Sequence, residues 1–189
     1  VFYGVPLFIF THMKTIFITL ALFASQLGFS QEEAAEGVAI KWMTIEDAYA
    51  LNKTAPKKIL VDVYTDWCGW CKRMDKTTYE NQTIINYINE NYYPVKLDGE
   101  QKEDINILDN TFKFVQSGRN GYNELAVALL NGKLSYPTTV FLDESFQMIQ
   151  PVPGYLDAAG IEPILWFFGS DAYKTSNWEE FQKTFSSKL

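Results

Sequence analysis

This 189-residue chain contains only two cysteines, three positions apart in Trp67-Cys68-Gly69-Trp70-Cys71-Lys72. Just before them, Ile59-Leu60-Val61-Asp62-Val63-Tyr64 is apolar and β-branched, bounded by Pro56-Lys57-Lys58 and Thr65-Asp66. That pattern predicts a buried strand. Lys72-Arg73-Met74-Asp75-Lys76 suits a helix, so Cys68 falls at a helix N-terminus and Cys71 one turn further in. Free N–H groups and the positive end of the helix dipole favour a negative charge at Cys68. Cysteines so placed have pKa values lowered to about 3.5–7.5. Positions i and i+3 on a helix lie roughly 5–6 Å apart at Cβ, so a modest closure reaches disulfide geometry. Cys68 is the natural attacking thiol and Cys71 the resolving one.

Other uses of a CxxC pair fit less well. A structural zinc site needs four ligands, yet there is no third cysteine and the single histidine, His12, lies far upstream. A c-type haem site needs histidine directly after the second cysteine, where Lys72 stands. A purely structural bridge closing so short a loop constrains the unfolded chain little. The expectation is therefore redox chemistry with no metal or organic cofactor, the Cys68–Cys71 pair itself being the reactive group.

Sixteen basic and 23 acidic side chains leave a net charge of -7, and Lys14 is the only charged residue among the first thirty. This acidity argues against nucleic acid or an anionic membrane surface as a partner, and ordinary solubility accounts for it. Residues 1–30 read as upstream residues plus a secretory signal peptide: Met13-Lys14, an apolar stretch Thr15–Ala24, then small and polar residues to Ser30. On this reading Met13 is the true start and cleavage after Ser30 leaves nothing inserted in a membrane. The alternative is an uncleaved anchor that also uses Val5–Phe10. Thr11, His12 and Lys14 interrupt it, and a span needs about 20 predominantly apolar residues. The expected destination is the periplasm, reached by secretion across the inner membrane.

Residues 31–37 read as a linker and 38–189 as one folded domain, a length suited to a single core. Val38–Trp42 reads as a short strand, and Thr44 begins a helix running to about Asn52. After the strand and the cysteine helix, Ile84, Ile85 and Ile88 continue at helical spacing. Tyr92–Leu97 is the next strand, with Pro94 suited to its start or to an edge. Asp98–Tyr122 reads as an insertion holding one short helix and a surface excursion. Asn123–Leu130 is a helix ended by Asn131-Gly132. Thr138–Leu142 and Gln147–Val152 form a hairpin. A helix from Asp157 or Ala158 to Phe168 tolerates Pro163 only near its first turn, and Trp178–Phe185 is the last helix. This order implies an α/β fold, a central mixed β-sheet with helices on both faces.

Five features carry a family resemblance. The chain resembles the thioredoxin superfamily, and within it secreted thioredoxin-like proteins related to the C-terminal domain of the membrane thiol reductant transporter. Trp67–Lys72 stands where that family has WCxxCK, which makes Gly69 and Lys72 supporting residues. Asp62 matches a buried acid, and Lys96 the lysine paired near it. Tyr136-Pro137-Thr138 matches the cis-proline loop, and Gly154 a family glycine. The resemblance covers about 41–168, leaving 98–122 and the tail after Gly169 unaccounted for.

The resemblance implies a thioredoxin-like fold and assigns roles. Asp62 becomes a general acid or base for Cys71, its pKa raised by burial; facing solvent at a strand end is the alternative. Lys96 would otherwise be a solvated strand-end lysine. Pro137 becomes cis, with the Tyr136 backbone pairing with an extended substrate; an ordinary trans proline opening a strand is the alternative. Trp67 and Trp70 either pack as core aromatics or contact substrate. The implied activity is thiol–disulfide exchange, reducing or isomerising disulfides in exported proteins, with a membrane thiol as electron donor. A dithiol oxidase, a non-enzymatic peptide-binding module and an inert bridged domain are the rivals.

Overall fold

The computed structural model describes residues 38–189, so the signal-peptide and linker expectations lie outside the described residues. Thr44 caps α1 (Ile45–Asn52), its hydroxyl accepting from the Asp47 N–H. β1 (Lys58–Tyr64) is buried up to its last residue. It is followed by α2 (Gly69–Thr77), α3 (Gln82–Asn91) and β2 (Tyr92–Asp98). Two small hairpins come next, β3 (Ile105–Ile107) with β4 (Asn110–Phe112) and β5 (Phe114–Ser117) with β6 (Asn120–Asn123). α4 (Glu124–Leu129), β7 (Thr138–Leu142), β8 (Met148–Pro153), α5 (Ala158–Gly169) and α6 (Trp178–Thr184) complete the order.

The central sheet runs β2-β1-β7-β8, with β1 and β2 parallel and the other pairs antiparallel. β1 reads as a continuous apolar run because both of its faces are covered. Ile59, Val61 and Val63 face a cluster with Ile45 and Ala48 of α1 and Leu125, Ala126 and Leu129 of α4. Leu60 faces the opposite cluster, with Met74 of α2, Ile84 and Ile88 of α3, and Ile161 and Leu165 of α5. Alternation along the strand puts Asp62 on the same side as Leu60. The sheet thus delivers one acid to the face on which the cysteine helix lies. Pro94 sits in β2, an edge strand, where a missing N–H costs no ladder bond.

Three expectations are corrected. Val38–Trp42 is not a strand. The Asn89 side chain binds its backbone instead, accepting from the Lys41 N–H and donating to the Ala39 carbonyl, and only Met43 bridges to Val95. Asp98–Tyr122 holds two hairpins rather than a helix. Leu108 and Asp109 both take positive φ (53° and 58°), as a type I′ turn requires, but Leu-Asp is not a turn signature of that type. Gly118, at φ 59°, opens the second turn in the manner of type II′. Finally, Pro163 lies beyond the first turn of α5. The helix continues through it because Ile161, Leu165 and Phe168 are buried in the core.

Candidate redox site

Cys68 is the N-cap of α2, in extended conformation, and its Sγ accepts from the Cys71 N–H at 3.1 Å. Its own N–H donates to the Thr65 carbonyl, which closes the turn between β1 and the helix. The sulfur therefore occupies the place a capping oxygen would take, against one of the free N–H groups of the helix start. Cys71, one turn in, is joined to it by a disulfide with Cα atoms 5.3 Å apart. Cys68 exposes 4% of its surface and Cys71 2%, narrower access than the sequence reading expects of an attacking thiol. A side-chain carbon at Gly69 would meet nothing within 4 Å, so the surface beside the disulfide is open.

Trp67 and Trp70 are not core residues: they expose 61% and 56% of their surface. Trp67 meets the edge of the Tyr136 ring at 5.9 Å and donates its indole N–H to Glu100 Oε1 at 3.0 Å. Trp70 lies 5.3 Å from Tyr155, and the Arg73 guanidinium sits 5.4 and 5.5 Å from those two rings. The Tyr136–Pro137 peptide is cis, and the Pro137 carbonyl accepts from Gly154 N–H at 2.8 Å. Burial, reinforced by Glu100 and Asp98, pushes the Tyr136 hydroxyl up to about 12, so it stays a neutral donor. Lys72 is exposed on α2 and forms no salt bridge among the described residues.

Asp62 is 1% exposed and is opposite Lys96 on one side and Thr139 on the other in the sheet register. Lys96 Nζ bonds Asp62 Oδ2 at 2.6 Å and also binds the Asp75 carboxylate of α2. Three rings surround that ammonium, Trp42 at 5.0 Å, Tyr64 at 5.2 Å and Tyr79 at 5.4 Å. Burial raises the Asp62 pKa; Lys96 opposes the rise and Asp75 adds to it. Lys96 is itself held protonated: burial works against its charge, but the two carboxylates outweigh it.

The structure thus brings Cys68, Cys71, Trp67, Trp70, Tyr136 and Pro137 to one end of the sheet, and Asp62 with Lys96 beneath α2. Sequence reasoning missed Glu100, Tyr155, Trp42, Tyr79 and Asp75. Of these only Asp75 left a signal, since it lies four positions after Cys71 and shares its helix face.

A four-stranded mixed sheet with CxxC at the first turn of a covering helix defines a thioredoxin-fold protein with a redox-capable cysteine pair. The chain belongs to the Thioredox_DsbH family, described as a protein of unknown function, DUF255, whose model matches residues 21–158. An uncharacterized protein of Archaeoglobus fulgidus is 32% identical over 95 residues, 48% of this chain and 72% of that protein. One from Caenorhabditis elegans is 30% identical over 77 residues, 41% of this chain but 11% of that much longer protein. Among solved structures, a thioredoxin-fold protein from Helicobacter pylori superposes with TM-score 0.52 at 21% identity, covering 74% of this chain and 88% of that one. A DsbH oxidoreductase gives 0.50 at 15%, with the same coverage. At these identities the structural likeness speaks for the fold.

Proposed function

We propose that the protein is an exported thiol–disulfide oxidoreductase that reduces or isomerises disulfides in other exported proteins. The carrying observation is Cys68 Sγ at the N-cap of α2, accepting a backbone N–H. A thiolate released there by reduction meets the same N–H and the positive helix end.

In the reductive direction the Cys68 thiolate attacks one sulfur of a client disulfide. The client S–S bond breaks, its other sulfur leaves and takes a proton, and a mixed disulfide forms. Cys71, having lost its proton, then attacks Cys68 Sγ and releases the second client sulfur, which is protonated in turn. The client gains two electrons and two protons, and Cys68–Cys71 is left oxidised. Asp62, buried with a raised pKa, is the group suited to accept the Cys71 proton. Trp67, Trp70 and the Tyr136–Pro137 loop form the client surface. Each turnover needs two electrons from a dithiol donor, and in an oxidising compartment a membrane thiol protein fills that role. The Met13–Ser30 pattern supports export to the periplasm.

Titration of the pair in a dithiol buffer, with insulin reduction alongside, tests this. Cys68→Ser abolishes turnover, and Cys71→Ser accumulates a mixed disulfide visible on a non-reducing gel. A strongly reducing potential supports a reductase and a high one the oxidase; a pair that exchanges with no dithiol sinks both. The 4% exposure of Cys68 favours the rival reading of a peptide-binding module, under which Cys68→Ser leaves client binding and function intact.

A further inference from the structure

Asp75 breaks a local rule. It is the third residue from the end of α2, where the helix dipole disfavours a negative charge and aspartate is a poor helix former. Its carboxylate is bound to Lys96, the same ammonium that bonds Asp62. Departures of this kind from local preference collect at functional sites. A lysine paired with Asp62 alone would favour its charged form more strongly and make it a weaker base. Two carboxylates on one ammonium divide its charge.

We propose that Asp75 is a positioning residue for the redox site: by sharing Lys96 and placing a second negative charge near Asp62, it keeps Asp62 a working proton acceptor beneath the helix that carries Cys71. This deepens the oxidoreductase reading and rests on it.

Three observations support the assignment. Lys96 is ringed by Trp42, Tyr64 and Tyr79 at 5.0–5.4 Å, so it keeps its place when one carboxylate is removed. Asp75 is 43% exposed at its side chain while Asp62 is 2% exposed; the burial penalty therefore falls on Asp62. Third, Asp62 Oδ1 is buried with no hydrogen-bond partner among the described residues, which leaves an oxygen free for the proton. The groups around Asp62 are Lys96 from β2, Asp75 from α2, Tyr79 just beyond α2 and Thr139 from β7. The Tyr79 and Thr139 hydroxyls are likewise buried; the Tyr79 hydroxyl favours the charged form of Asp62, and burial holds Tyr79 itself neutral. Asp75 is thus the anion that adjusts the acid.

The test is a carbon-13 titration of the Asp62 carboxyl in the oxidised full chain, the signal assigned by its loss in Asp62→Asn. Asp75→Asn lowers the Asp62 midpoint by on the order of one pH unit, and Asp75→Glu, which keeps the charge, leaves it in place. Because Asp75→Asn also relieves the clash with the helix dipole, the variant folds, which its thermal transition checks. An unmoved midpoint overturns the proposal. So does a rising one, since it would mean that Asp75 holds Lys96 against Asp62. In the reduced enzyme the acidic limb of the pH–rate profile for insulin reduction follows the same shift. The titration does not depend on exchange: a moved midpoint in a protein that fails to react with dithiols upholds the coupling and rejects the enzyme reading.

Discussion

At the scale of single residues, Asp62 carries opposed consequences for stability and for chemistry. Its folded pKa lies above its unfolded value because burial outweighs Lys96. The native state therefore binds the proton more tightly, and ionised Asp62 destabilises the fold. That cost is fully present above the folded pKa and is relieved as pH falls through it toward the unfolded value. Asp62→Asn removes the cost while Asp75 still satisfies Lys96. It raises the thermal midpoint at pH 7 and slows resolution by Cys71 about 10²-fold. Calorimetry with single-turnover release of the mixed disulfide checks both; a lowered midpoint would show the ion pair to be net stabilising.

At the scale of elements, helix caps and strand edges make separate predictions. Asn81 caps α3, its side-chain oxygen accepting from the Thr83 and Ile84 N–H groups at 3.0 and 3.2 Å. Asn81→Ala costs about 1 kcal/mol of stability in denaturant unfolding, since those donors lose their partner. β8 is the other edge of the sheet, a strand that invites pairing with a second chain. Gly154 donates its N–H inward to Pro137, so strand alternation points the amide positions of Pro151 and Pro153 outward. Prolines there present no donor. Replacing both by valine supplies two outward N–H groups, and sedimentation at rising concentration then shows self-association absent from the parent. If the variant stays in the parent's association state, the prolines are not what guards that edge.

At the scale of the whole molecule, Lys58 fastens three distant parts of the chain. Its Nζ, at the start of β1, bonds Glu144 between β7 and β8 at 2.8 Å and Asp171 beyond α5 at 2.7 Å. Burial pushes both carboxyls up, but Lys58, joined at Asp171 by Lys174, outweighs it and leaves both below the usual carboxylate value. Their contribution is complete above the unfolded carboxylate pKa and is lost as pH falls through the lowered folded values. Lys58→Met lowers the thermal midpoint at neutral pH, and the gap from the parent closes as pH drops through that acid range. A gap that stays constant with pH would mean that Lys58 acts through packing alone.

Much of the site could be read in the residues, since local chemistry suffices for it. The Cys68–Cys71 spacing after an apolar run places the pair at a helix start, and Thr44 and Asn123 mark helix starts by side-chain oxygens bound to nearby N–H groups. The same local reasoning failed at Leu108-Asp109, whose left-handed turn no residue preference announces. Asp75, Glu100 and Tyr155 escaped notice because their partners lie 21 or more positions away. The primary structure by itself determined the order of the four central strands and of the helices outside 98–122, and the cysteine pair at a helix start, because periodicity and capping act over a few residues. Only the tertiary structure decided that Trp67 and Trp70 face outward, and that one lysine is shared by two acids, because exposure and charge pairing depend on which strands and helices come to lie side by side.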